Sequence, residues 1–156
     1  MMGTHSFNLS ATWSGNLGSG TSGYREYSRD LVLRSPGKED ILGSADKTFH
    51  GDATRWNPEE LLIAALAQCH MLSFLHVASS AGVVVESYVD HASGVLETTP
   101  DGAGRITEVT LAPCVEISSG SLEEVPELHH RASTLCFIAN SVNFPIAHHP
   151  ETSLKA

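Results

Sequence analysis

Apolar and polar residues alternate with a period of two across residues 6–14, where Phe7, Leu9, Ala11 and Trp13 interleave with polar neighbours; this predicts a first strand. Gly15, Gly18, Gly20 and Gly23 follow as a flexible turn. Residues 24–34 predict a second strand, with Tyr24, Glu26 and Ser28 on one face and Arg25, Tyr27 and Arg29 on the other. A turn over 35–40 and a weakly patterned short strand ending at Phe49 come next. Asn57, Pro58, Glu59 and Glu60 then open the strongest helix. Asn57 suits the cap, Pro58 the first helical position, and the two acids complement the positive helix start. Leu61, Leu62, Ala65, Leu66, Cys69, Leu72 and His76 keep helical spacing. Ala64, Ala65 and Ala67 permit close packing on more than one side, so this helix is expected to be central and to end at residues 79–82.

Beyond it, Val83 begins an extended segment reaching about residue 97, and residues 100–104 form a turn. Residues 105–117 place Val109, Leu111, Val115 and Ile117 on one face as the hairpin partner, with Pro113 predicting an edge strand or bulge. A second helix is expected over 122–139, with Val125, Leu128, Ala132, Leu135, Cys136 and Ala139 inward and Pro126 near its first turn. A last short strand is expected over 141–146. The order predicts an α+β fold in one domain spanning residues 1–156.

Composition narrows the function. The 156 residues are 41% hydrophobic and 17% charged, enough for a genuine core. Eighteen acidic against nine basic side chains give a net charge of −9, which leaves no basic stripe for phosphates and argues against nucleic-acid binding. The longest apolar run, around 61–66, is too short for a membrane span. The first ten residues lack a charged-then-apolar signal pattern, so a cytoplasmic location is expected. The cysteines are three, Cys69, Cys114 and Cys136, with no CxxC pair. That excludes a secreted disulfide framework and a closed zinc site of the usual spacing, and leaves buried or reactive thiols.

Cys69 and Cys136 both fall within predicted helices, where a thiol often does no more than fill space. Their neighbourhood suggests more. Glu59 heads the same helix as Cys69, beside Arg55 and Trp56, and Arg25 and Arg29 share one face of a strand. A reactive thiolate needs a cation, and a carboxylate can hold an arginine in place.

The segment RWNPEELLIAALAQCHMLSFLHVASSAGV, joined to LHHRASTLCFIANSVNFPI, resembles the OsmC/Ohr family of thiol peroxidases. The resemblance extends over nearly the whole chain, including Gly20 and Thr21 of the first hairpin, and is nearer to the general OsmC-like branch than to the dedicated hydroperoxide-resistance branch. It implies antiparallel sheets wrapped around central helices in an intertwined homodimer. It implies that Cys69 is the peroxidatic cysteine, attacking an organic hydroperoxide to form a sulfenic acid, and that Cys136 resolves it to a disulfide. Glu59 matches the carboxylate that holds an arginine against the thiolate. Arg25 is the favoured arginine, with Arg29 and Arg55 as alternatives; at His50 an arginine is more usual in this branch. The implied partners are a hydroperoxide substrate and a dithiol reductant (a lipoyl protein, thioredoxin or small thiol), with no cofactor. Ten residues of helix separate Glu59 from Cys69 by roughly 15 Å, so an arginine or a second chain must bridge them. The alternative is a non-catalytic OsmC-like domain that binds a small ligand or partner and carries vestigial cysteines.

Other side chains carry less. The pairs His129, His130 and His148, His149 point about 100° apart if helical, a poor chelating geometry. The histidines are therefore expected at surfaces and caps, and no metal site is expected. His70 points away from Cys69 by the same argument. Cys114 lies opposite the apolar face and is expected to be a bystander, exposed or shallowly buried. Leu66, Met71, Leu72, Phe137, Ile138 and Phe144 are apolar residues near the cysteines in sequence, read mostly as core.

Overall fold

A computed structural model describes residues 3–156. The chain forms two compact units, the first reaching to Leu61 and the second running Leu62–Ala156. The α+β expectation holds, and the strands and helices alternate in the expected general order.

The first unit carries a three-stranded antiparallel sheet in the order β1 (Ser10–Trp13), β2 (Leu31–Arg34), β3 (Ile41–Gly43). β1 and β2 are shorter than their patterns imply. The isolated Asn16–Tyr27 bridge and the Ser14–Asp30 and Ser28–Gly15 backbone hydrogen bonds continue the pairing, but residues 24–26 are turn and bend and 28–30 form no regular strand. The cause is Arg29. Its guanidinium donates to the Tyr27 carbonyl at 2.8 Å and the Tyr24 carbonyl at 2.7 Å, and lies over both tyrosine rings. Those carbonyls are withdrawn from any ladder, so the chain curls around the arginine. The strand expected to end at Phe49 stops at Gly43. A short 3₁₀ turn, Lys47–Phe49, follows it, with the Asp46 carboxylate accepting from the Thr48 amide.

Helix α1 (Pro58–Ser80) begins where the sequence places it. Asn57 Oδ1 accepts from the Glu60 amide at 2.7 Å, and the Glu60 carboxylate accepts from the Asn57 amide at 3.3 Å, a reciprocal capping box. The helix ends as Gly82 turns through φ +75°, a conformation that favours glycine. By length and composition α1 could cross a bilayer, contrary to the short run expected from the sequence. Its stripe Leu66, His70, Phe74, Val77 and Ala78 is instead buried within the second unit.

The extended segment after α1 is two strands, β4 (Val84–Asp90) and β5 (Ser93–Thr98). Its partner is likewise two, β6 (Gly104–Leu111) and β7 (Pro113–Ser119). β4 pairs with β7, and β5 with β6, so one long hairpin bends into two sheets at residues 91–92 and 112. At the bend the Ala112 amide donates to the Asp90 carboxylate at 2.8 Å, and the His91 amide donates to the Ala112 carbonyl. Pro113 is the first residue of β7, where its missing N–H breaks no rung; β7 is a central strand, not the edge expected.

Helix α2 (Val125–Leu135) is shorter than the expected 122–139 at both ends, with Pro126 in its first turn as expected. Leu135 is exposed rather than inward. The last strand falls later than 141–146. A 3₁₀ turn occupies Ala139–Ser141, β8 (Ile146–His148) joins β6, and a further strand, β9 (Glu151–Leu154), joins β7. Both late pairings are parallel, so the two sheets are mixed where antiparallel ones were expected.

The second unit has two apolar clusters. Phe74, Val77 and Ala78 of α1 pack with Val83, Val115, Ile117 and with Val125, Leu128 and Ala132 of α2. Leu66 packs with Val109 and Leu111, flanked by Ile138 and Phe144. The hairpin face expected to be apolar is therefore buried. Gly94 on β5 lies so close to Ile63 of α1 that an added Cβ would sit 2.8 Å from the isoleucine Cδ1.

Candidate active site

Cys69 lies mid-way along α1 and is half-buried. Cys136 is not within α2 but caps its C-terminus in an extended conformation, and is almost fully buried. Its Sγ accepts a hydrogen bond from the Ala139 amide at 3.4 Å. The Cys136 thiol neighbours that of Cys69. Burial first, and the neighbouring Cys69 thiol next, push the Cys136 thiol up to about 11. All three cysteines are free thiols, and Cys114 is exposed on the outward face of β7 as expected. The second unit thus brings together the two cysteines singled out in the sequence, one accessible and one sequestered.

The remaining candidates lie in the first unit. Glu59 is half-buried in the first turn of α1. Arg29 is committed to the Tyr24 and Tyr27 carbonyls and rings. Arg55 sits between Asp30 at 3.6 Å and Asp52 at 3.7 Å, with its buried Nη1 unpartnered. Arg25 is exposed and makes no ion pair among the described residues. Of the apolar residues near the cysteines, Leu66, Ile138 and Phe144 are core, whereas Leu72 and Phe137 are exposed.

The histidines depart most from expectation. His70 and His129 are buried, not at the surface. His70 Nε2 and His129 Nδ1 share a hydrogen bond at 3.1 Å with the rings nearly parallel. The other face of His129 stacks on Phe74 at 3.9 Å, and His148 leans on His70 at 4.6 Å. Burial lowers His70 to about 3 and His129 to about 4, with nearby imidazoles adding to the effect, so both are neutral at physiological pH. Asp90, beside His148, is pushed above the usual carboxylate range by burial. The signal for His70 was in the sequence. It stands four residues after Leu66 and four before Phe74, on the buried stripe, and His129 likewise follows Val125 and precedes Ala132. No group of three or more His, Cys, Asp or Glu side chains is arranged to hold a metal ion among the described residues.

Residues 50–150 match the family described as OsmC-like protein. An OsmC-like protein of unknown function from Vibrio cholerae is 33% identical, superposes with a TM-score of 0.85, and is matched over 95% of this chain and 100% of its own. An organic hydroperoxide resistance protein from Elizabethkingia anophelis, crystallised with thiocyanate, is 18% identical with a TM-score of 0.68 over 99% of this chain and 100% of its own; it shares the fold. The uncharacterized protein YmaD of Bacillus subtilis (strain 168) is 22% identical over 99% of this chain and 97% of its own length.

Proposed function

The chain belongs to the OsmC family, and from that membership we propose that it is a cysteine-based thiol peroxidase that reduces organic hydroperoxides in the cytoplasm. Family membership supports a redox or peroxide-resistance role. The observation that carries the finer reading is the neighbouring pair of thiols Cys69 and Cys136, one half-exposed and the other sequestered.

The chemistry runs in two balanced steps. The Cys69 thiolate attacks the outer peroxide oxygen; the O–O bond breaks, the alkoxide takes up a proton and leaves as alcohol, and Cys69 becomes a sulfenic acid. The Cys136 sulfur then attacks the Cys69 sulfur. The S–O bond breaks, the sulfenic hydroxyl leaves as water with the Cys136 proton, and a disulfide remains for a dithiol to reduce. Arg25 is the proposed cation for the thiolate, held by Glu59, because Arg29 and Arg55 are already engaged by carbonyls and carboxylates. A homodimer is proposed as the active unit; in support, the first unit exposes Trp13, Ile41, Leu42 and Trp56.

The test is consumption of cumene hydroperoxide and of hydrogen peroxide in the presence of dithiothreitol. The expected result is turnover of both, faster with the organic peroxide, and a Cys69–Cys136 disulfide when reductant is withheld. Inertness with both thiols intact sinks the peroxidase reading and favours a non-catalytic binding domain.

A further inference from the structure

Three features of the second unit lie outside the chemistry above: the exposed Cys114, the cleft around β7 and β9, and the buried imidazoles of α1, α2 and β8. The thiols and the imidazoles come from the same two stretches of chain, in opposite order along each. Cys69 and His70 are consecutive on α1, and His129 lies on α2 seven residues before Cys136, which caps that helix; both are buried. Apolar side chains set how deeply two helices pack but constrain sliding and rotation only loosely. A hydrogen bond between two neutral rings fixes both, because each ring must present one particular nitrogen. Here the bond joins His70 Nε2 to His129 Nδ1, and Phe74 holds the outer face of His129 by stacking.

We propose that the His70–His129 pair is a positioning device for disulfide closure: it locks α2 against α1 so that Cys136 faces the sulfur of Cys69. This rests on the thiol-peroxidase reading for its biological use, but not for its geometry. The pair acts through Cys136, touching neither substrate nor the peroxide oxygens. The attack on peroxide needs Cys69 alone. The closing step needs the two sulfurs aligned, and a displacement of about 1 Å is enough to slow such a step as much as 100-fold.

The experiment follows both steps at the same cysteines. His129→Phe keeps the ring stack on Phe74 and removes the nitrogen; His129→Asn keeps a polar group near the place of Nδ1. His70→Leu is a second disrupting variant, and His148→Phe alters the cluster while leaving the pair. Cys69 oxidation is read by dimedone trapping after one equivalent of cumene hydroperoxide. Closure is read by loss of alkylatable thiols, with peroxide and separately with diamide, which oxidises dithiols directly. The expected result is Cys69 oxidation at the wild-type rate in His129→Phe, closure about 10-fold to 100-fold slower with either oxidant, and recovery in His129→Asn. His70→Leu should match His129→Phe, and supplies the comparison if that variant does not fold. Wild-type closure rates in both disrupting variants overturn the proposal, as does equal slowing in His148→Phe. A wild type inert to peroxide, whose closure with diamide still depends on the pair, overturns the peroxidase reading and leaves the positioning role standing.

Discussion

Cys136 neighbours Cys69 from a buried position, and burial, which pushes its thiol up to about 11, keeps it protonated at neutral pH. The half-exposed Cys69 is the sulfur a solute can reach first. The asymmetry supports the proposed order of events, because a sequestered thiol makes a poor first nucleophile and a well-placed second one.

Cys69→Ser should therefore reduce peroxide consumption to the uncatalysed background, since a serine hydroxyl is scarcely ionised at neutral pH. Coupled turnover with cumene hydroperoxide reads this directly, and sustained activity would remove Cys69 from its role.

Cys136→Ser should still oxidise once and then stall. A dimedone adduct is expected at Cys69, followed by sulfinic acid under excess peroxide. If this variant cycles normally with dithiothreitol while Cys114→Ser does not, the resolving thiol is Cys114.

Arg25→Ala should slow alkylation of Cys69 at neutral pH about tenfold, the effect expected of removing the cation proposed for its thiolate. Arg29→Ala should instead loosen the chain over residues 24–30, costing about 1 kcal/mol of stability through its lost hydrogen bonds. Alkylation rate against pH, with a urea midpoint for each variant, separates the two effects.

Acid should destabilise the fold in a defined window. His70 and His129 hold lowered values of about 3 and 4 when folded, against 6.5 ordinarily, so the unfolded chain binds more protons between those limits. Their contribution is complete above about pH 6.5 and drains away as pH falls towards 4 and then 3. Asp90, with its raised value, works in the opposite sense at the acid end. His129→Phe should flatten the urea midpoint profile between pH 6.5 and 4 relative to wild type; an unchanged slope would contradict it.

The parts legible from sequence were those governed by local chemistry. Asn57, Pro58 and Glu60 fix the start of α1 and Gly82 its end, whereas Cys69 and Cys136 stand out through the resemblance to the OsmC/Ohr family. The parts that were not legible depend on distant partners. Nothing in the alternation of residues 24–30 reveals that Arg29 will take two backbone carbonyls for itself. The hairpin bend needs Asp90 to meet Ala112, far along the chain. His70 and His129 look polar singly, and as a pair each supplies a partner for one buried ring nitrogen of the other, Nε2 of His70 and Nδ1 of His129.

The placement of β8 and β9 bears on how the protein is made. The hairpin strands β6 and β7 each wait for a neighbour from residues 146–154, laid alongside in parallel. During synthesis, α1, the bent hairpin and α2 all emerge before either sheet can gain its third strand. Pairings across such sequence separations are slow to form, and until they do the edges of β6 and β7 stay open to strands from other chains. The final stretch thus acts as a closing seam, and a nascent chain halted before residue 146 would carry both cysteines yet expose two unguarded strand edges.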